Sequence, residues 1–212
     1  MFDYALLTTM ILTTMILQEP FYQRETIAVA KELLGKILVH ENIEGTTAGR
    51  IVETEAYRGP EDRAAHSYGG RRTARNEVMF GQKGRAYVYF IYGLYYCFNV
   101  IAGNVSGKPE AVLIRALEPV VGVEIMAKRR GTKDGKLGNL ANGPGKLCMA
   151  MSILKAQDKT DLTDPPLYIE DAPLVLQDDI METTRVGVDY SGEWKNKLWR
   201  FYIRNNRFVS VK

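Results

Sequence analysis

Residues 86–101 read AYVYFIYGLYYCFNVI, two runs of aromatic and β-branched residues that are separated by Tyr92-Gly93. Such runs favour β-strands, and a glycine in a two-residue connection favours a tight hairpin turn. The segment therefore predicts a β-hairpin with strands at 86–91 and 94–101 and with Tyr92-Gly93 at its tip. This hairpin is the strongest local indication of the fold.

The remaining sequence mixes helical and strand patterns without a regular alternation. Helices are predicted at 25–34, 121–130 and 146–153, and further strands at 36–40, 49–57, 111–117, 167–170, 198–204 and 208–211. Residues 58–84 form a long irregular stretch, which in a compact domain is more often functional than idle. The pattern favours an α+β fold. We expect a single mixed domain with a curved, mainly antiparallel sheet, a protruding β-hairpin and surrounding helices.

Length and composition are those of an ordinary globular protein. The chain has 212 residues, of which 46% are hydrophobic and 25% charged, enough for one domain with a proper core. Its two cysteines, Cys97 and Cys148, lie in apolar runs, which favours buried thiols in a reducing cytosol over disulfides. The apolar run within residues 1–17 is too short to span a bilayer and lacks the features of a secretory signal. We expect it to be an N-terminal extension or an extra helix.

Basic residues concentrate in two glycine-containing stretches. Residues 58–85 contain seven Arg or Lys against three acids, and residues 128–146 contain six against one. A surface of this kind suits a phosphate backbone. On charge alone, two solvated faces balanced by the acidic residues of 158–179 explain the pattern equally well.

Two acids and a tyrosine alternate in the predicted strand at 49–57. Since alternate residues of a strand share a face, Glu53, Glu55 and Tyr57 are expected to project together. A carboxylate beside an aromatic ring can act as a general base on water. An arginine-paired structural acid is the competing interpretation, and the residues themselves do not decide between Glu53 and Glu55.

The tyrosines are also unevenly distributed, since seven of the twelve lie between residues 57 and 96. Tyr87 and Tyr89 share a face of the first hairpin strand. Stacked aromatic rings can hold an unstacked nucleic-acid base, at roughly 1–3 kcal/mol per base. A bulky residue at a hairpin tip, such as Tyr92, can enter the gap that the base leaves. The competing interpretation is a tyrosine-rich sheet packed in the core.

Histidine is scarce, with only His40 and His66 in the chain. Two distant histidines and two isolated cysteines do not form a ligand-spaced cluster, so no metal site is predicted. His66, within the irregular stretch, is better interpreted as a hydrogen-bonding or stacking group, or as a plain surface histidine.

Taken in order, these motifs closely resemble the alkyladenine (3-methyladenine) DNA glycosylase family. The matching segments are RIVETEAYRGPEDRAAHS (50–67), GGRRTARN (69–76), YVYFIYGLYYCFNV (87–100), VLIRALEP (112–119), NGPGKLCMAM (142–151) and RVGVDYSGEW (185–194). The resemblance extends from about residue 21 to the C-terminus. Several long motifs in one order make it far more specific than a single short pattern. It implies a glycosylase domain over residues 18–212.

The resemblance implies an enzyme that flips an alkylated or deaminated purine out of duplex DNA and hydrolyses its N-glycosidic bond. Glu55 would be the general base on the attacking water, which Arg115 and the backbone of Val186 would help to position. Because no lysine stands at or beside the Glu55 position, the resemblance implies a monofunctional glycosylase that uses water. No cofactor and no metal are expected.

The same resemblance assigns residues that hold the base. Tyr57, His66 and Tyr89 would surround the flipped base, and Tyr92 would occupy the gap in the duplex. Asn99 would screen against the exocyclic amino group of normal guanine. The expected lesions are of the 3-methyladenine, 7-methylguanine and hypoxanthine type.

The expected partner is duplex DNA that contains damaged purines, bound by a monomer that has no membrane association. The expected location is the cytoplasm, with the nucleoid, in a bacterium, or the nucleus in a eukaryote, and the protein is not expected to be secreted. Two other functions stay open. A hydrolase of small nucleosides would need Glu55 and a stacking pocket, whereas a non-catalytic binder of damaged DNA would need only the tyrosines.

Overall fold

A thirteen-residue strand, β2 (Gly45–Tyr57), lies in the middle of the sheet and is paired on both edges. One edge pairs with β5 (Glu110–Val121). The other edge pairs first with β1 (Ile37–Asn42) and then, nearer its end, with β8 (Arg200–Ile203). Residues 51–56 of β2 are buried on both faces of the sheet. Side chains in this part of β2 are therefore shielded from bulk water.

The computed structural model describes residues 15–132 and 137–211. The other strands are β3 (Ala86–Ile91), β4 (Tyr95–Ala102), β6 (Leu167–Glu170) and β7 (Ile180–Thr183). The main path of the sheet is β3-β4-β5-β2-β1-β6, with β8 joining β2 to β7. Each of these pairings is antiparallel. Register shifts between β2 and β5 bend the strands, as β-bulges do. The expected α+β fold with a curled antiparallel sheet is confirmed.

Within the described residues, four α-helices accompany the sheet: α1 (Glu19–Tyr22), α2 (Thr26–Glu32), α3 (Val123–Arg130) and α4 (Pro144–Met151). Helix α2 contacts β2 and β5, and α4 contacts β4 and β5. Their apolar faces join one large core with the inner face of the sheet. The Glu25 carboxylate accepts the Ala28 amide and so caps α2, and Gly35, with φ 87°, follows the helix.

The strand predictions are accurate where the sequence pattern is local. The predicted bounds of β3 and β6 are correct. Strands β2 and β5 are longer than predicted, because residues 45–47 of β2 pair with β1 and residues 118–121 of β5 continue the pairing with β2. Strand β7 was not predicted. It pairs with β8, which a local sequence pattern at 180–183 does not reveal.

The predicted strand at 208–211 is wrong. Phe208 and Val209 are buried, which explains the apolar pattern, but the chain is turned there. The Ser210 amide donates to Glu53 Oε2 (2.7 Å) instead of joining a ladder. The third and fourth helices also begin at other residues than predicted, because Gly122 at φ 68° separates α3 from β5 and Pro144 begins α4.

The predicted N-terminal extension or helix lies outside the described residues, apart from residues 15–17. There Ile16 bridges Glu170, and the Leu17 amide donates to the Ile169 carbonyl (2.8 Å), so this part of the chain runs beside β6. Within the described ranges, no helix combines the length and apolar character that crossing a bilayer requires.

A glycine contact tests how tightly the sheet and α1 pack. Gly84 has φ +78°, and a Cβ there would lie 2.7 Å from the ring of the buried Tyr22. Gly107 has a similar φ, +72°, with no atom within 4 Å of its Cβ position among the described residues. Gly107→Ala should cost about 1 kcal/mol from backbone strain alone. Gly84→Ala should cost about 2–4 kcal/mol, because overpacking is added.

Thermal unfolding of both variants measures the difference, at roughly 2–4 °C per kcal/mol for a chain of this size. Equal shifts in Tm for the two variants would show that the Tyr22 ring can move aside for the added methyl group without a cost in stability.

Candidate active site

Glu55 lies fully buried near the end of β2, and its carboxylate has three neighbours. The Tyr57 hydroxyl donates to Oε2 (2.8 Å), and the Val186 amide donates to Oε1 (2.7 Å). The Arg115 guanidinium lies 3.2 Å from Oε1. Burial lowers the pKa of Arg115, but the charges of Glu55 and Glu53 offset this and the net pKa is raised. The Glu55 carboxylate is thus held in one orientation beside a permanent positive charge.

Glu53 faces the same side of β2 but has a different environment. Its Oε1 accepts hydrogen bonds from Arg115 Nε (2.9 Å), Arg200 Nη1 (2.8 Å) and Ser210 Oγ (3.0 Å). Its Oε2 accepts the Ser210 amide (2.7 Å). Neither acid lines the cavity described below, but all three groups that contact Glu55 do, whereas only Arg115 among the partners of Glu53 does. The structure therefore separates two acids that sequence alone left equivalent.

A cavity of about 480 Å³ opens beside these carboxylates. All three groups that contact Glu55 line it, so the carboxylate lies directly behind the cavity wall. The rest of the lining combines aliphatic and small residues with a group of aromatic side chains, among them Tyr87, Tyr89, Tyr95, Tyr190 and His66. A cavity of this kind can hold a flat heterocycle next to a fixed carboxylate.

One wall of the cavity is an aromatic cluster. The rings of His66 and Tyr89 meet edge to face with centroids 4.6 Å apart, and Tyr87 lies 5.2 Å from Tyr89. His66 Nδ1 and the Tyr87 hydroxyl are 2.9 Å apart. Burial, together with Arg75 and Arg71, lowers the pKa of His66 to about 4, and burial raises the pKa of Tyr87 to about 12. These groups are uncharged at neutral pH.

The loop that carries His66 is held by side chains acting on its backbone. Asn76 is buried, and its Nδ2 donates to the carbonyls of His66 (3.3 Å) and Arg71 (2.8 Å). Asn76 Oδ1 accepts the Thr73 amide (2.7 Å). The irregular stretch predicted at 58–84 is therefore an ordered loop, whose bonds fix the position of His66.

Tyr92 lies at the hairpin tip, as predicted, in a strained conformation. Its φ is 55°, Gly93 follows with φ 66°, and the Leu94 amide donates to the Ile91 carbonyl (3.2 Å), as in a type I′ turn. The left-handed conformation costs a tyrosine about 1–2 kcal/mol. Its side chain is 80% exposed and contributes to the cavity lining. Burial therefore does not account for the presence of tyrosine here.

Asn99 reaches the cavity from β4. The residue is buried, and its Nδ2 donates to the Tyr87 carbonyl (3.1 Å) on β3, opposite in the register. This bond fixes the amide within the pocket wall.

Every residue that the sequence singled out for the site is brought to this one region. Seven line the cavity: Tyr57, His66, Tyr89, Tyr92, Asn99, Arg115 and Val186. Glu55 lies immediately behind them. Sequence reasoning missed two residues that line the cavity, Tyr95 and Tyr190. It also missed Asp62 and Arg185, which form a buried ion pair although they lie 123 residues apart in the chain. No local spacing signals a pair so distant in sequence.

The two basic stretches differ in the structure. Arg71, Arg72 and Arg75 are exposed, with Arg75 lying over the Tyr89 ring at 5.0 Å and Arg72 paired with Glu77 at the surface. In the second stretch, Arg129 is bound within the protein by Glu44 (2.9 Å) and the Ala150 carbonyl (2.9 Å). Within residues 15–132 and 137–211, no three His, Cys, Asp or Glu side chains are arranged to hold a metal ion.

The chain is similar over most of its length to known proteins. Residues 20–207 match the family model of methylpurine-DNA glycosylase (MPG). A protein of Clostridium acetobutylicum assigned as a 3-methyladenine DNA glycosylase is 55% identical over 197 residues, covering 90% of this chain and 95% of the relative. Proteins with the same assignment from Desulfitobacterium hafniense (52% identical, 91% and 97% covered) and Bacillus cytotoxicus (50% identical, 90% and 97% covered) are similar to it.

The pocket environment predicts that His66 stays neutral through the physiological range. Because its folded pKa is about 4, below the ordinary 6.5, the unfolded chain takes up the proton first. The free energy of unfolding should therefore fall as pH decreases from about 6.5 to about 4. NMR titration of the imidazole should show no protonation at pH 5.5.

With only two histidines in the chain, His66→Gln identifies the resonances. The pH dependence of Tm should be weaker in this variant than in the natural protein. An imidazole assigned to His66 that titrates near pH 6.5 would contradict the buried environment.

Proposed function

The chain belongs to the methylpurine-DNA glycosylase family, and from this we propose that it extrudes an alkylated or deaminated purine from duplex DNA and hydrolyses its N-glycosidic bond. The family is one of DNA glycosylases, so DNA with a damaged base is the substrate class. The observation that carries the finer proposal is the buried Glu55 carboxylate, whose three neighbours all line an aromatic cavity.

The extruded base stacks in the cavity. Tyr57 provides one ring, and His66 with Tyr89 provides a facing cluster of uncharged rings. Stacking of a base on such rings contributes roughly 1–3 kcal/mol per base. A damaged purine that pairs weakly costs less to extrude than a normal base. We propose purines of the 3-methyladenine, 7-methylguanine and hypoxanthine type as substrates.

Hydrolysis uses a water molecule that Glu55 activates. Arg115 and the backbone of Val186 fix the carboxylate and position the water near the sugar. Glu55 accepts a proton as the water oxygen forms its bond to C1′. The C1′–N bond breaks, and its electron pair leaves with the base. A purine alkylated at N3 or N7 is cationic and becomes neutral on leaving, so it needs no proton. Hypoxanthine is neutral and must take up a proton from water as it leaves. The carboxylate also stabilises the positive charge that develops on the sugar.

Discrimination against normal guanine is proposed for Asn99. Its side chain is fixed by the Tyr87 carbonyl at the pocket wall. A 2-amino group would meet this wall, which adenine-like bases avoid. 7-Methylguanine also carries a 2-amino group, but its positive charge makes it a better leaving group than normal guanine and offsets the contact. Rejection here would act after extrusion, on the base inside the cavity.

Duplex binding is proposed for the hairpin tip and the exposed arginines. Tyr92 would fill the gap that the extruded base leaves. Arg71, Arg72 and Arg75 would contact phosphates, which makes binding sensitive to salt. One chain supplies all of these groups, so we propose that the enzyme acts as a monomer.

Replacing the carboxylate tests the chemistry. Glu55→Gln should lower the single-turnover rate of base release at least about a hundredfold, since general bases typically contribute 10²–10⁴-fold. Release of hypoxanthine and of 7-methylguanine from defined duplexes measures the rate. Binding of the same duplexes should persist.

The control is Glu182→Gln, which removes an exposed carboxylate paired with Lys31 (2.6 Å) and should release base at the natural rate. Undiminished release by Glu55→Gln would refute the proposed base. Lesion binding without release by the natural chain would point to a non-catalytic binder. Cleavage of free nucleosides only would point to a nucleoside hydrolase.

The hairpin tip gives a second test. Tyr92→Ala should weaken binding to lesion duplexes about tenfold or more, because the filled gap is lost, while Tm changes by only a few degrees. Leu176→Ala, which truncates a side chain that is 72% exposed elsewhere, is the control. Equal affinities for Tyr92→Ala and the natural chain would exclude a role for this residue in holding the extruded state.

A further inference from the structure

A buried ion pair lies behind the cavity. Asp62 and Arg185 are both buried, and the guanidinium binds both carboxylate oxygens, with Nη1–Oδ2 at 2.6 Å and Nη2–Oδ1 at 2.9 Å. Asp62 also accepts the amides of Arg58 (3.1 Å) and Ala64 (3.0 Å). A charge buried this deeply requires a partner of opposite charge. If either side chain of the pair is removed, the other is left as an uncompensated buried charge, which destabilises the protein.

The arginine of this pair stacks on Tyr57. Its Cζ lies over the Tyr57 ring, 4.8 Å from the ring centroid. The same atom lies over the Trp199 ring, 5.1 Å from that centroid. Tyr57 lines the cavity, whereas Arg185 does not. The guanidinium is therefore behind the ring as seen from the cavity. A base stacked on Tyr57 would have this cation on the far side of the same ring.

We propose that Asp62 determines the preference for cationic over neutral bases by neutralising the charge of Arg185 behind Tyr57. The inference rests on the proposed function, in which Tyr57 stacks on the extruded base. A cation binds the electron-rich face of an aromatic ring. An uncompensated guanidinium on the opposite face repels that cation and leaves a neutral base almost unaffected.

The size of the effect follows from the separation of the charges. The guanidinium lies 4.8 Å from the ring centre, and a base in van der Waals contact with the other face adds roughly 3.5 Å. Two positive charges about 8 Å apart, at an effective dielectric constant of about 20, repel by an amount equivalent to roughly tenfold to thirtyfold in affinity. A lesion such as 7-methylguanine carries this charge, whereas hypoxanthine does not.

The ion pair has a structural effect as well, which the test must separate. Arg185 precedes Val186, whose amide holds Glu55, and its Nη1 donates to the Ala56 carbonyl (3.0 Å). Loss of this positioning would weaken the binding of both kinds of lesion to the same extent. The ratio of the two affinities therefore isolates the charge effect from damage to the site.

The experiment measures equilibrium binding in the Glu55→Gln background, so that duplexes stay intact. Otherwise identical duplexes contain one 7-methylguanine, one hypoxanthine or no lesion. Asp62→Asn should weaken binding of 7-methylguanine at least tenfold more than binding of hypoxanthine. Combining Asp62→Asn with Arg185→Gln removes both charges and should return the ratio to within about threefold of the parent.

Two controls keep the outcome clear. Asp161→Asn removes a carboxylate that pairs with Arg85 (3.1 Å) and should leave the ratio unchanged. The chain has only two tryptophans, and Trp199 contacts Arg185, so tryptophan emission and Tm report whether each variant folds. Where Asp62→Asn does not fold, Arg185→Gln alone serves, and it should shift the ratio towards the cationic lesion.

Equal losses for the two lesions in every folded variant would overturn the inference and leave the proposed function intact. A parent protein that binds neither lesion better than undamaged duplex would instead refute the proposed function itself.

Discussion

Two carboxylates buried two residues apart on β2 impose the constraint on which the rest of the structure depends. A buried carboxylate is tolerated only when opposite charge and hydrogen-bond donors surround it. Arg115 from β5 bonds Glu53 and contacts Glu55, while Arg200 from β8 and Ser210 from the C-terminal segment complete the shell of Glu53. The partners that compensate the two negative charges therefore come from distant parts of the chain. Strand β2 is paired on both edges and holds both acids in place.

The two acids differ in what their partners do. Of the partners of Glu53, only Arg115 reaches the cavity, whereas all three partners of Glu55 line it. The aromatic side of the cavity carries no charge near neutral pH, because burial lowers the pKa of His66 and raises the pKa of Tyr57, Tyr87 and Tyr89. A fixed carboxylate facing uncharged rings suits a substrate whose positive charge grows during the reaction, which is the situation proposed for glycosidic cleavage.

Much of this arrangement could be predicted from sequence, because it is local. Alternation placed Glu53, Glu55 and Tyr57 on one face of a strand, and the hairpin placed Tyr92 at a turn. What could not be predicted depends on pairing between distant segments. Residues 208–211 have a strand-like apolar pattern, but the chain turns there and the Ser210 amide donates a hydrogen bond to Glu53. The Asp62–Arg185 pair and the choice between the two acids likewise depend on which strands become neighbours.

The central claim is that the extruded base occupies the aromatic cavity with its sugar facing Glu55. A crystal structure of Glu55→Gln bound to a duplex with one hypoxanthine tests this most directly. We expect the base between Tyr57 and the His66–Tyr89 cluster, Tyr92 within the duplex, and a water between C1′ and the residue-55 side chain. A lesion that stays stacked in the helix, or a sugar turned away from residue 55, would contradict it.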